Sequence, residues 1–316
     1  MSQSLRFLPA GLFGSVMGLA GLGLASRGAS SLLPLPAWLS EAWIGLAALA
    51  LAVLLAAYLA KALRHFDAVR EEFGNPALIG FCATMPVGMT LVAAGVEPYS
   101  TAAAQLLWWC GAALFLVLQV WALVRLVRGQ VRMAHINGGW LIALVAGIVM
   151  PFAGLPLGHA EISGFMFCAS ALLAPFVMGA IAWRAWAGPA LPAAQQPSWF
   201  ILLVPPSLIY VNGIALWPGQ GGAMLESLYL LALPLAAVLI VLARGLRRWP
   251  FGAPWWAFTF PLDALAGAAI QFAKDHPGRL WTALAAGLLL LATLAVVLVL
   301  IRTLAALARG SLFKPS

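Results

Sequence analysis

Ten long apolar stretches run through the sequence, and each is close to the length of about 20 helical residues that crosses a bilayer. Polar residues, prolines and glycines separate one stretch from the next. The stretches cover residues 7–25, 41–63, 77–95, 101–124, 138–155, 162–183, 198–217, 224–243, 253–273 and 280–305. They predict ten transmembrane helices within one transmembrane domain, residues 1–316.

Charged residues are too scarce for a soluble fold. They make up 8% of the 316 residues, and hydrophobic residues make up 64%, whereas soluble domains carry about 25% charged residues. A surface with so little charge must face hydrocarbon, so we expect an all-α integral membrane protein. The net charge of +8 then indicates basic loops at one membrane face rather than a nucleic-acid partner.

The basic residues are distributed asymmetrically across the ten predicted helices. One side of the membrane receives Arg27, Lys274 and Arg279. The other side receives Arg6, Lys61, Arg64, Arg70, Arg125, Arg128, Arg132, Arg184, Arg244, Arg247, Arg248, Arg302, Arg309 and Lys314. Because basic residues concentrate in cytoplasmic loops, this bias predicts that both chain termini are cytoplasmic.

No motif in the sequence indicates an enzyme, a metal site or a cofactor. The acidic residues are scattered without an acid/base pair, and no Walker-type glycine loop is present. The cysteines and histidines stand singly, without metal-ligand spacing: Cys82, Cys110, Cys168, His65, His135, His159 and His276. We therefore expect no metal, no cofactor and no enzymatic activity.

Prolines favour the odd-numbered predicted helices. Those helices carry Pro9, Pro86, Pro151, Pro205, Pro206 and Pro261, whereas the even-numbered ones carry Pro175 and Pro234. A proline inside a helix frees a backbone carbonyl, which is tolerated at membrane depth in a protein interior or beside a water-filled path. The pattern predicts an inner layer of odd helices around a path and an outer wall of even helices. The alternative is that proline is simply more frequent in membrane helices.

Several motifs resemble one family of membrane proteins. The ninth stretch reads Trp255-Trp256-Ala257-Phe258-Thr259-Phe260-Pro261. Further matches are Pro9-Ala10-Gly11-Leu12-Phe13-Gly14 with Gly18, Asn75-Pro76 with Phe81 and Pro86, and Pro205-Pro206-Ser207. Together they resemble the tellurite-resistance and dicarboxylate transporter family, which includes the plant slow-type anion channels.

The resemblance implies a specific architecture. It suggests five helical hairpins around a central pore, with odd helices lining the pore and even helices outside. It also implies a homotrimer with one pore per subunit, lipid around it, small inorganic anions as the transported species and a place in the bacterial inner membrane.

The resemblance places a gate at Phe260, whose ring would lie across the pore. Pro261 follows directly, and a helix break there would allow the ring to be re-aimed. Phe13 and Phe81 match family positions near the pore. The alternative for Phe260 is ordinary packing against neighbouring helices or lipid.

The predicted helices carry no Lys or Arg near their centres, so no fixed cation would hold an anion there. Partial positive charge would come instead from the N-termini of broken helices and from hydroxyl groups such as those of Thr259 and Ser207. Weak binding favours an anion channel. The alternative is a proton-coupled secondary transporter or exporter of tellurite, sulfite or dicarboxylates.

Asp263 differs from the plant channels, which carry an uncharged residue at this position. It lies three residues after Phe260 and therefore on nearly the same helix face. One interpretation is a proton-sensitive site beside the gate, and the other is a carboxyl group hydrogen-bonded to a neighbouring helix. Gln271, two turns further on, is interpreted as a helix-packing residue.

Overall fold

The structure, a computed structural model, describes residues 5–310, apart from the side chains of residues 246 and 247. Two residues assigned to the cytoplasmic side, Lys314 and the side chain of Arg247, lie outside this description. Within the described range the regular structure is entirely helical. The expected all-α class is therefore confirmed.

Thirteen α-helices make up most of the described chain. They are α1 (Gly14–Ala29), α2 (Ala37–Arg64), α3 (Phe66–Gly74), α4 (Ile79–Cys82), α5 (Thr84–Val96), α6 (Thr101–Val127), α7 (Gly139–Val145), α8 (Pro151–Gly154), α9 (Ala160–Ala187), α10 (Val204–Leu216), α11 (Gly222–Leu242), α12 (Thr259–Asp275) and α13 (Arg279–Ala308). Six 3₁₀ segments connect or extend them: Ala10–Phe13, Met133–His135, Ala146–Val149, Ala193–Leu203, Ala243–Arg248 and Ala253–Phe258.

Seven helical stretches of the described chain are long and apolar enough to cross a membrane. They include the five longest helices, which we call the outer helices: α2, α6, α9, α11 and α13. The other two are the stretches 79–96 and 193–216. The protein is therefore a multi-pass membrane protein, and the count of ten crossings stays a prediction.

Three predicted crossings are not among these seven. The stretch Gly139–Gly154 is apolar but short. The helices α1 and α12 have 16 and 17 residues, and each continues directly from a 3₁₀ segment. With 79–96 and 193–216, these stretches form five broken segments, which we call the first to fifth inner segments: 10–29, 79–96, 139–154, 193–216 and 253–275.

Inner segments and outer helices differ sharply in burial. The most apolar window of segment 79–96 is 89% buried and that of 193–216 is 61% buried, whereas the five outer helices range from 22% to 33%. Large apolar side chains such as Leu49, Val117 and Leu294 project outward from the outer helices. Because such a surface is unstable in water but stable against lipid or another apolar surface, the outer helices form the outer wall of the bundle.

Prolines occupy different helix positions in the inner segments and in the outer helices. Pro151 begins α8, and Pro205 and Pro206 lie in the first turn of α10. A proline in a first turn costs no hydrogen bond, since the amide groups there have no helical acceptor. In the outer wall, Pro175 and Pro234 lie inside continuous helices. The inner prolines therefore start helices within the protein interior.

The five inner segments form a closed ring of contacts. Each segment packs against the next one along the chain, and the fifth packs against the first through α12 and α1. Every outer helix packs on the inner segment that precedes it in the sequence. The outer helices therefore surround the ring. We call the bundle end at which the outer helices finish the basic end, and the other the opposite end.

Candidate functional site

A narrow cavity lies at the centre of the ring, toward the basic end. Its volume is about 30 Å³, and all five inner segments line it, including Gly11, Phe81, Val145, Val204, Pro205, Trp256 and Phe260. A single water needs about 10–15 Å³ in this measure, so the first cavity has room for about two waters. A hydrated ion does not fit in it.

A second cavity continues toward the opposite end. It has a volume of about 140 Å³ and is lined by Gly21, Leu91, Phe152, Phe260, Asp263, Gln271 and Lys274, among others. A third, wider cavity of about 660 Å³ shares Phe152, Val211 and Gln271 with the second. The three cavities therefore follow one another from the interior of the ring to the exposed surface of the opposite end.

Phe260 borders both the first cavity and the second. Of the described residues, it alone lines both. Its ring packs against Gly21 of α1, where an added Cβ would lie 2.8 Å from Phe260 Cδ2 and 2.9 Å from Asp263 Oδ2. Only a residue without a side chain leaves room for both groups at this distance.

Two more of the sequence-predicted residues line the first cavity. Phe81 comes from α4, and Pro261 stands beside Phe260. Pro261 does not interrupt a helix as expected: it lies in the first turn of α12, directly after the 3₁₀ segment Ala253–Phe258. The change in helix type is therefore located before Phe260 rather than after it.

The other candidate pore-lining residues lie away from the cavities. Phe13 is buried with its ring edge-on to Tyr58 of α2, at a centroid distance of 6.0 Å. Thr259 donates its hydroxyl to the carbonyl of Trp256 at 2.9 Å and faces Gly18. Ser207 is fully buried, and its hydroxyl has no hydrogen-bond partner in the described structure.

Asp263 lines the second cavity together with Phe260, as their three-residue spacing predicts. Its side chain is 2% exposed, and neither carboxylate oxygen has a hydrogen-bond partner among the described residues. The structure therefore offers no partner for the alternative role as a hydrogen-bonded packing group. A charged carboxylate without a partner would cost several kcal/mol at this depth.

Sequence reasoning missed several residues of the path. Trp256 and Pro205 line the first cavity, and Lys274 lines the second. Gln271 is more than a packing residue, since it borders two cavities and donates to Asp275 Oδ1 at 3.1 Å. The signal for Gln271 is its position two turns beyond Asp263, which puts both on one helix face.

Among the described residues that line the three cavities, the charged ones belong to the second and third cavities. Asp275 and Glu226 line the third cavity, and Tyr210 donates to Asp275 Oδ2 at 3.2 Å. His276 Nε2 lies 3.7 Å from Glu226 Oε2. The first cavity differs, because no described Lys or Arg lines it. The described residues also contain no cluster of His, Cys, Asp or Glu suited to a metal ion.

Two helices begin part-way along their inner segments, α10 at Val204 and α12 at Thr259. Residues of both first turns line the first cavity. The amide groups of Val204 and Thr259 donate to the carbonyls of Ile201 and Trp256, and Pro205, Pro206 and Pro261 have no N–H. These helix starts therefore present few free amide groups, fewer than the sequence led us to expect.

The chain is similar to known anion-transport proteins over almost its whole length. A family model described as "Voltage-dependent anion channel" matches residues 8–304. The guard cell S-type anion channel SLAC1 of Arabidopsis thaliana is 25% identical over 312 residues, covering 95% of this chain and 56% of that protein.

Two further relatives extend the comparison. The S-type anion channel SLAH3 of Arabidopsis thaliana is 24% identical over 89% of this chain and 45% of its own length. A tellurite resistance protein TehA homolog from Haemophilus influenzae is 23% identical over 84% of this chain and 81% of its own length. The chain thus spans about half the length of the plant relatives that it matches.

Proposed function

Because the chain belongs to the voltage-dependent anion channel family, we propose that it is a channel for small inorganic anions, gated by Phe260. Ten transmembrane segments form five hairpins around one pore, and the inner segments line it. The ions move passively down their electrochemical gradient. Chloride and nitrate are the test ions of choice.

The position of Phe260 carries this proposal. Its ring stands between a cavity toward the basic end and a cavity toward the opposite end, and both are built by the ring of inner segments. The small volume of the first cavity corresponds to a closed pore. Movement of one aromatic side chain would join the two spaces.

The electrostatics of the ring support a channel rather than a high-affinity binding site. The first cavity lacks a described Lys or Arg, so no fixed cation would hold an anion there. Conduction requires binding weak enough for the ion to leave. The proposed orientation places the basic end in the cytoplasm of a bacterial cell, following the distribution of Lys and Arg.

Replacing Phe260 with alanine tests the gate. The substitution removes the ring between the cavities, so we expect passive chloride or nitrate flux into liposomes to rise by roughly tenfold or more. Phe258→Ala is the matched control, because its ring packs against Phe200 at 5.8 Å and lines neither cavity. Thermal unfolding and size-exclusion profiles establish that both variants fold. Equal flux in Phe260→Ala and the wild type would contradict the gate.

One observation favours a second function, proton-coupled secondary transport or export of tellurite, sulfite or dicarboxylates. The carboxyl group of Asp263 is buried beside Phe260 with no hydrogen-bond partner among the described residues, and there it could take up and release a proton with each transport step. A channel gives anion flux without a pH gradient, whereas a coupled transporter requires the gradient or generates one. The flux measurement therefore separates the two functions.

A further inference from the structure

A groove outside the ring lies at the basic end, between the short helix α3 and the outer helix α6. Its volume is about 550 Å³. Its walls combine aromatic and basic side chains, chiefly Phe66, Phe73, Trp121, Arg70, Arg125 and Arg128. None of these residues lines the first, second or third cavity. The groove is therefore a separate feature from the proposed pore.

The three arginines of the groove have no acidic partner. Among the described ion pairs, none involves Arg70, Arg125 or Arg128. Arg125 is held in place, since Nη1 donates to the carbonyl of Phe73 at 3.2 Å and the guanidinium lies 5.1 Å from the centre of the Trp121 ring. Arg70 and Arg128 are exposed. The groove thus presents positive charge that the described protein does not neutralise.

The apolar part of the groove continues onto the lipid-facing surface. Val124 lines the groove, and Val117 and Val120 lie two turns and one turn before it on α6. All three are exposed, by 38%, 65% and 58% respectively. Trp121 lies at the same level as Val120, where a tryptophan marks the boundary between hydrocarbon and headgroups. A molecule that fills this groove would therefore contact apolar side chains toward the membrane centre and positive charge toward the basic end.

We propose that this groove binds an anionic phospholipid. The phosphodiester lies between Arg70 and Arg128, and Arg125 contributes from the floor of the groove. The acyl chains follow the exposed face of α6. Guanidinium groups match phosphate geometry, and basic pockets beside transmembrane helices suit anionic headgroups. A zwitterionic lipid would bring its own cation next to the arginines and is disfavoured.

Native mass spectrometry tests the site on the full chain. The protein is equilibrated with equal amounts of phosphatidylglycerol and phosphatidylcholine of the same acyl composition, and retained lipids are counted. We expect preferential retention of phosphatidylglycerol. The variant Arg70→Gln/Arg128→Gln should bind phosphatidylglycerol about 30-fold more weakly. Each arginine near an anionic headgroup contributes about fivefold to the affinity, and the variant lacks two of them. Arg125 is left unchanged because its contacts also hold α3 against α6.

Two control variants separate the groove from general basic charge. Arg244→Gln removes one exposed charge from the same end of the bundle but lies outside the groove, so it should leave phosphatidylglycerol binding unchanged. Arg70→Lys/Arg128→Lys keeps the charge and should retain most of the binding. A loss in the glutamine variant with wild-type thermal stability would exclude misfolding as the cause.

Three results would overturn the proposal. The first is equal retention of the two lipids by the wild-type chain. The second is displacement of phosphatidylglycerol by millimolar inorganic phosphate, which would indicate a site for free phosphate. The third is a lipid-free groove with efficient cross-linking between copies of Val124→Cys, which would indicate that a second copy of the chain covers it.

Discussion

In the described interior, Asp263 is the ionisable residue whose side chain lacks hydrogen-bond partners. Its two oxygens lack partners, and the backbone of Gly21 closes one side of the space around it. Lys274 borders the same cavity, and Asp275, Glu226 and His276 lie further out toward the opposite end. In the proposed pore, the charge state of this carboxyl group would therefore contribute strongly to the potential beside Phe260.

The substitution Asp263→Asn tests whether that charge state controls transport. A carboxylate beside the path repels anions and a protonated carboxyl group does not, so wild-type flux should fall as the pH rises. Asparagine keeps the shape without titrating, and the variant should keep high flux across pH 5 to 8. The measurement is liposome anion flux at symmetric pH values in that range.

Asp275→Asn serves as the control, since that carboxylate lies in the third cavity and accepts hydrogen bonds from Tyr210 and Gln271. It should leave the pH profile close to that of the wild type. A pH profile unaltered by Asp263→Asn would show that the carboxyl group has no role as a proton-sensitive site.

At the scale of elements, a buried ion pair fastens α3 to the bundle. Lys61 of α2 is 2% exposed, and its Nζ lies 2.7 Å from Glu72 Oε2 of α3 and 2.7 Å from the carbonyl of Leu8. Glu72 also accepts from Tyr58 at 3.1 Å and from the backbone amide of Ala10. One carboxylate thus joins an outer helix, a short surface helix and the start of the first inner segment.

Lys61→Met should weaken this junction strongly. The variant leaves the Glu72 carboxylate buried without its cation, a change that costs about 3–5 kcal/mol. We expect a lower thermal unfolding midpoint and faster hydrogen exchange in residues 66–74. Arg64→Met, less than one turn away on α2 with an exposed side chain, should change neither. A similar effect of the two variants would argue against a stabilising ion pair.

For the whole molecule, the homotrimer implied by the family resemblance remains the expectation. The outer helices carry apolar side chains on their exposed faces, and lipid-facing and subunit-facing surfaces of this kind have the same composition. Light scattering in mild detergent should give a protein mass three times the 33.2 kDa of the chain. A monodisperse species of one or two chains would refute the trimer.

The sequence was most informative about the two layers of helices. Apolar length located the outer helices, and proline placement identified the segments that the structure buries. The direction of individual side chains was harder to predict from the sequence. Phe13 ends one 3₁₀ segment and Thr259 directly follows another. Because a 3₁₀ helix turns 120° per residue instead of 100°, the directions of these side chains do not follow from α-helical spacing. Phe260 and Asp263 lie within one α-helix, and their shared face was predictable.

On α1, the face that packs against the fifth inner segment carries three glycines: Gly14, Gly18 and Gly21. Trp256, Thr259 and the pair Phe260 with Asp263 occupy the space in which side chains at those glycines would lie. These contacts fix the register of the two segments, because a shift by about one helical turn, 5.4 Å, is needed before small residues again face the large ones. A smaller shift of one segment along the other would cause clashes. Opening of the proposed gate would then be torsional: rotation of the Phe260 side chain about its own bonds, with the backbone of both segments stationary.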